Sequence, residues 1–382
     1  MNRKHQLFGV AVSVAVFVSF ALLVNLGKAQ TPAAQGATVA KKAEEQFKNI
    51  HVLKGVPADQ VFPTMQFISA SLGVECEFCH VQNAFDKDDK KPKQTARKMM
   101  EMMFAINKDN FEGHREVTCN SCHQGSVHPA AIPAVLTEEA ARSHQPGEGH
   151  EEAKEPAGPS AQQILEKYLQ ASGGAAAIDK VSSRVMNGTI DFGGRSLPID
   201  IYSKDPEKRI SYTHMTGGDS VTAFNGQEGW LGMPGHPLRT MEGSDLDAAA
   251  IDADLHLPTH LEHMFSRMRV RGTEKIGDKD VYEVVGQREG KTPLRLYFDQ
   301  QSGLLLRLVR YGDTALGWLP TEIDYADYRE ADGVKLPYRW TLARPNGRFT
   351  IQITELKQNI AVDDAKFVKP AAPQEALKAP AK

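Results

Sequence analysis

Hydrophobic and polar positions divide the chain into stretches of unlike character. The first is "LFGVAVSVAVFVSFALLVNLG", an almost unbroken apolar run behind the short cationic opening Met1–His5. Residues 30–47, rich in Ala, Gln and Lys, read as a linker. From residue 48 apolar positions recur at three- and four-residue spacing, which predicts helices. "PTMQFISASLG" opens on Pro63, suited to a first helical turn, and closes on Gly73, suited to a C-terminal cap. "KQTARKMMEMMFAIN" predicts a longer helix after Pro92. Residues 136–160, including "SHQPGEGHEEAKEPAGPSAQQ", carry Pro, Gly and Glu with almost nothing apolar and predict a flexible joint. A further helix follows. Ser160 can cap it, Ile164, Leu165, Tyr168 and Leu169 form its apolar stripe, and Gly173 can end it.

Beyond that helix the period changes from helical to alternating. "LRLYFDQQSGLLLRLVRY" predicts a hairpin turning on Asp299 and Gly303, and "TEIDYADYREADGVKLPYRWTLARPNGRFTIQITEL" predicts three strands joined at Asp332-Gly333 and Asn346-Gly347. Sequential hairpins predict one curved antiparallel sheet. The expected organisation is multi-domain: residues 1–29 a signal peptide, 48–135 a mainly α-helical domain, 161–369 an antiparallel β domain led by one helix, and 370–382 a disordered tail.

Composition adds little to this picture. At 382 residues, 41% hydrophobic and 24% charged with a formal net charge of -3, the chain gives no reason to expect nucleic acid as a partner. The N-terminus adds more. A cationic start, an apolar run and the small residues around Ala29 form a secretory signal, with an uncleaved membrane anchor as the rival reading. Both readings predict a periplasmic, exported protein, membrane-associated if the segment stays attached. No cysteine follows the apolar run, which excludes acylation there.

All four cysteines fall in two copies of one pattern: Cys76, Cys79 and His80 in "CEFCH", and Cys119, Cys122 and His123 in "CNSCH". Cysteines two residues apart can add across the two vinyl groups of a haem, and the adjacent histidine then lies against the iron. A zinc ribbon would need two pairs that lie about forty residues apart to converge. A thioredoxin-like redox pair would need a βαβ setting that the pattern does not offer. Chance does not repeat the motif with no cysteine left over. The expected cofactors are two covalently bound haem c, with His80 and His123 as axial ligands.

The sixth ligand separates an electron carrier from a catalyst, because iron held on both faces has no open position. Met65, on the helix before Cys76, is the candidate opposite His80. Before Cys119 stand Met99, Met100, Met102 and Met103, of which Met102 is chosen for His123, with Met99 and Met103 as alternatives. Core packing is the competing role for these methionines, and His51, His114 and His128 are rival ligands. Between the motifs, "AFDKDDKKPKQTARK" reads as a solvated loop, or else a charged docking patch.

"PTMQFISASLGVECEFCH", "KPKQTARKMMEMMFAIN" and "VTCNSCHQG" resemble the cytochrome subunit family of photosynthetic reaction centres over residues 48–130. The resemblance implies a helix, a tight turn and Cys-x-x-Cys-His for each haem, with Met65 paired to His80 and a methionine of the 99–103 cluster to His123. That family is usually tetrahaem, and here only one dihaem half is present. The expected function is single-electron transfer between periplasmic or membrane-bound redox proteins, without catalysis. The alternatives are a dihaem peroxidase, which needs an open iron face, and a lipid- or quinone-binding protein with haem-linked redox function.

"ILEKYLQASGGAAAIDKVSSRVMNGTIDF" and "IDYADYREADGVKLPYRWTLAR" resemble LolA-like lipoprotein-sorting carriers over 161–369. This resemblance implies an incomplete antiparallel barrel over helices, with a cavity for a hydrophobic ligand. Leu304, Leu306, Leu308, Ile323, Trp340 and Ile351 serve equally as sheet core. His256, His260 and His263 suggest a metal, yet no H-E-x-x-H motif accompanies them, and a His-rich turn is the expectation. No nucleophilic triad, phosphate loop or dinucleotide fingerprint occurs.

Overall fold

The computed structural model describes residues 41–129, 158–345 and 347–370. The expected signal segment, most of the 136–160 joint, Asn346 of one turn and nearly all of the tail lie outside these residues. The last part of the 30–47 linker is structured. A helical turn, α1 (Ala43–Gln46), is pinned by Ala43 N–H donating to the Val56 carbonyl at 2.7 Å and Ala58 N–H donating to Lys41 at 2.8 Å.

The β region is one antiparallel sheet of thirteen strands. They are β1 (Ser183–Phe192), β2 (Arg195–Lys204), β3 (Lys208–Met215), β4 (Gly218–Asn225), β5 (Gly229–Gly232), β6 (Arg239–Met241), β7 (Arg267–Ile276), β8 (Lys279–Arg288), β9 (Lys291–Asp299), β10 (Leu305–Thr314), β11 (Gly317–Ala331), β12 (Val334–Arg344) and β13 (Gly347–Gln358). Their spatial order, β6-β5-β4-β3-β2-β1-β13-β12-β11-β10-β9-β8-β7, is two meanders joined where β1 pairs with β13. The turns expected at Asp299/Gly303 and Asp332-Gly333 are present, with Asp332 and Gly333 both at positive φ.

Three helices in this region pack on the sheet: α6 (Ala161–Ala171), α8 (Gly243–Ala253) and α9 (Leu257–Met264), with the short α7 (Ala175–Ile178) between α6 and β1. Ser160 caps α6 by accepting from Gln163 N–H at 3.2 Å. Its stripe residues Ile164, Leu165 and Tyr168 are buried with Leu261 of α9 against Leu296, Phe298, Leu308 and Ile323. Helix α8 touches β3 and β4 on one side and β10 on the other. In a flat sheet β4 and β10 would stand roughly 34 Å apart at ~4.8 Å per strand, whereas an eleven-residue helix is only about 16 Å long. The sheet must curl around α8, and this is the half-barrel. Ion pairs hold the helix there, among them Asp247 with Arg288 of β8 at 2.7 Å and Asp252 with Arg310 of β10 at 2.8 Å.

Residues 41–129 carry α2 (Val61–Leu72), α3 (Cys76–Cys79), α4 (Lys91–Asn110) and α5 (Cys119–His123). Both long helices begin slightly earlier than expected, and Pro63 and Pro92 lie inside their first turns, where a missing N–H costs nothing. The helices rest on the tip of the β10–β11 hairpin. Leu316, fully buried, and Leu319 join Leu53, Phe67, Ile68, Met100 and Met103 in one cluster. The Phe67 ring lies so close over Gly317 that a β-carbon there would stand 2.6 Å from it. Thr314 Oγ fixes the tip by donating to the Gly317 carbonyl and accepting from Leu316 and Gly317 N–H. Arg115 adds polar contacts to Asp313 and the Thr314 carbonyl.

Candidate haem-attachment site

Each cysteine pair occupies a single helical turn, so the two sulfurs of a pair stand three residues apart on one face. None of the four is in a disulfide. Burial pushes the Cys79 and Cys119 thiols up, so both stay protonated near neutral pH. A protonated thiol is a poor metal ligand or redox nucleophile. Among the described residues, the side chains that gather three potential metal ligands are Asp254, His256 and His260, and no cysteine is with them. The segment expected as a His-rich turn is instead helix α9, which carries His260 and His263; Asp254 rather than His263 stands with His256 and His260, and His260 Nδ1 donates to its carboxylate at 2.9 Å.

The two histidines are oriented alike. His80 Nδ1 lies 2.9 Å from the Phe85 carbonyl and His123 Nδ1 lies 2.9 Å from the Ser126 carbonyl. A carbonyl only accepts, so Nδ1 is the donor in both rings, and the neutral imidazole in this tautomer has its lone pair on Nε2. Burial also pushes the His80 pKa down, favouring the neutral ring. This is the tautomer and anchoring found in histidines that ligate through Nε2.

The loop behind His80 is built by the charges between the motifs. Asp88 pairs with Arg97 at 2.8 Å and Lys93 at 3.0 Å, and Lys93 also donates to the Phe85 carbonyl at 2.9 Å. Asn49 joins at Asp88, and Lys90 reaches the Glu77 carbonyl. The segment expected as a solvated loop or docking patch therefore uses several of its charges internally, to hold the carbonyl that orients His80. Arg97 and then Lys93 keep the Asp88 carboxyl well below the usual carboxylate range. A group depressed in this way stabilises the fold fully above the unfolded-state pKa and loses that contribution as pH falls toward its folded value. Asp88→Asn is expected to melt below the unsubstituted protein at neutral pH. In a pH series of thermal melts the gap should narrow progressively as pH falls below about 4; a gap unchanged in acid would refute the assignment.

The second motif is held by a residue that sequence reasoning missed. Asn107 of α4 is buried; its amide donates to the Val117 carbonyl at 2.7 Å and its carbonyl accepts from Val117 N–H at 2.9 Å. This clamp fixes the strand-like entry to Cys119. The signal available in the sequence was a polar residue on an inward helical position, one turn beyond Met103. Asn107→Ala leaves both Val117 groups without that partner, and a loss of about 2–3 kcal/mol is expected in denaturant unfolding. A change no larger than that of a surface substitution would sink the clamp. On the other side of α5, Gly125 N–H donates to the Ser71 carbonyl at 2.8 Å, and Gly73, at φ 66°, leaves no room for a β-carbon beside the Gly125 carbonyl. Helix α2 thus packs on α5, while α4 packs on α3.

The methionines divide by face. Met100 and Met103 are 6% and 5% exposed and sit in the cluster with Leu316, whereas Met99 and Met102 are 40% and 49% exposed. Met103 is thereby turned into the core. Met65 is partly buried at the edge of the same cluster. His51 bonds Asn49 at 2.7 Å, and His114 and His128 are exposed. Seven of the thirteen exposed large apolar side chains among the described residues lie between Phe47 and Phe111, including Phe78 inside the first motif and Phe85 against the His80 ring. So much uncovered apolar surface next to four free thiols and two oriented imidazoles fits a large flat apolar group bonded to the chain.

Residues 20–190 match the family described as the photosynthetic reaction centre cytochrome C subunit. Cytochrome c-554 of Chloroflexus aurantiacus is 34% identical over 85 residues, 20% of each chain. The photosynthetic reaction center cytochrome c subunit of Thermochromatium tepidum is 32% identical over 93 residues, 23% of each. The aligned segment thus spans about a fifth of the length of these relatives. Among solved structures, a DUF1329 family protein from Desulfovibrio piger aligns over 54% of this chain and 96% of its own, at 15% identity and a TM-score of 0.39. A LolA superfamily protein from Nitrosomonas europaea aligns over 56% and 99%, at 16% identity and a TM-score of 0.38. The resemblance to the reaction-centre cytochrome subunits read from the sequence recurs in the family match and in both relatives.

Proposed function

We propose that this chain is an exported dihaem c-type cytochrome that relays single electrons between periplasmic or membrane-bound redox proteins. Its match to a cytochrome c family supports a haem-based electron-transfer role. The observation that carries the dihaem reading is the repeated anchoring of His80 and His123, each donating Nδ1–H to a carbonyl and keeping Nε2 free beside a pair of free cysteines. Cys76, Cys79 and His80 would hold one haem and Cys119, Cys122 and His123 the other. Met65 would close the face opposite His80, and the outward face of α4, Met102 with Met99, would supply the ligand opposite His123. Bound at these turns, haem supplies a reversible one-electron couple. The chain's own part would be to fix each imidazole and cover the group's apolar faces, with Met65 and Met102 keeping water and peroxide away from it.

The decisive experiment is a haem-stained gel with a haem and iron count per chain, on protein matured in a host that attaches c-type haem. Two covalent haems and low-spin spectra of methionine–histidine type are expected. Colourless protein would end the reading, and a high-spin ferric haem would favour a peroxidase. The cavity of the β region we read as a site for a hydrophobic ligand, supported by its apolar lining.

A further inference from the structure

A cavity of about 180 Å³ lies inside the curled sheet, opening to solvent beside Asp252. Much of its wall is apolar, formed by residues such as Met186, Ile251, Ile323, Leu336, Trp340 and Leu342. Its charged groups are not balanced. Asp252 is already held by both terminal nitrogens of Arg310, at 2.8 and 3.0 Å. Asp254 is held by His260 Nδ1 and by His256 N–H. Arg184 donates Nε and one terminal nitrogen to the Gln358 side chain, which leaves its other terminal nitrogen free. Arg209 of β3 is partly buried and lines the lumen, where the Asp252 carboxylate acts on it only through space and no hydrogen bond ties it to an acceptor among the described residues. Burial, and then the nearby Arg209 charge, hold the Arg184 pKa down.

A guanidinium half withdrawn from water, with no acceptor hydrogen-bonded to it, gains when an anion meets it. Guanidinium is also the side chain best shaped to receive a carboxylate or phosphate through two parallel hydrogen bonds. We propose that the cavity binds an amphiphile whose anionic head is received by Arg209 and the free edge of Arg184, while its apolar part lies against Met186, Ile323 and Trp340. The inference rests on reading the cavity as a site for a hydrophobic ligand and narrows that reading to one class. Lipid-derived anions and free small anions share the head chemistry, and only the former also use the apolar wall.

The test is calorimetric titration of the delipidated, haem-loaded full chain with decanoate, decanol, acetate and inorganic phosphate. Decanoate is expected to bind at least about tenfold more tightly than decanol, since a hydrogen bond to a charged group contributes roughly 1.5–3 kcal/mol. Arg209→Gln should weaken decanoate by about tenfold and leave decanol unchanged. Arg209→Lys, which keeps the charge but not the fork, should fall between them. Equal binding of decanoate and decanol by the unsubstituted chain would overturn the head-group assignment and leave the hydrophobic site standing. Binding of neither would remove both. Acetate or phosphate binding as tightly as decanoate would replace the amphiphile with a simple anion. The comparison of ligands on the unsubstituted chain decides the matter even where the variants fold poorly.

Discussion

Serine at both Cys119 and Cys122 is expected to remove one of the two covalent haems proposed for this chain. Serine keeps the size and the helical turn but has no sulfur to form a thioether. The α5 turn does not depend on those sulfurs for its shape: Asn107 fixes its entry, Thr118 and Ser121 cap it, and Gly125 ties it to Ser71. Only the attachment should be lost, and the sheet should fold as before. Mass spectrometry of the intact chain should show a loss of one haem mass, with the remaining stain on a gel abolished by the same change at Cys76 and Cys79. An unchanged mass, or loss of both haems from the first change alone, would contradict two independent attachment turns.

The second large effect is expected at Leu316. This side chain is fully buried where the β10–β11 tip meets Phe67, Met100 and Met103. Leu316→Ala removes buried methyl groups from a rigid hairpin tip that cannot collapse into the space, and a loss of about 3–4 kcal/mol is expected. The loss should fall on the contact between the helices and the sheet. Calorimetry should show the helical segment melting earlier than the sheet, and proteolysis should cut between residues 129 and 158 more readily. A single transition at an unchanged temperature would show that the tip carries no such burden.

Local signals in the sequence were read well where a local rule governs. Ser160 caps its helix, Gly73 ends α2 in the left-handed region, and Asp332-Gly333 turns β11 into β12. The cysteine motifs were legible because attachment needs a fixed spacing, which chance rarely repeats. Features that join distant parts left no such trace. Nothing in "VMNGTIDF" announces that β1 pairs with β13, and nothing in "TALGWLP" announces that Leu316 serves as a platform for helices two hundred residues earlier. Asn107 and Arg209 were invisible for the same reason: each looks like an ordinary polar residue until its surroundings are known. The division of the methionines also needed the third dimension, since a run of Met99, Met100, Met102 and Met103 covers both faces of a helix.

The pairing of β1 with β13 also bears on how the chain reaches this state. Arg184 and Gln358, in register at the centre of the sheet, are 174 positions apart. Closing a loop of that length gives no return until both ends have been made, so the contact order is high and folding should be slow. The two meanders can form separately, each with an unpaired edge on its central side, until β1 and β13 meet. A chain released before β13 is made would carry two exposed strand edges, on β1 and β12, open to pairing with other chains, and it would aggregate where a truncation at an outer hairpin would not.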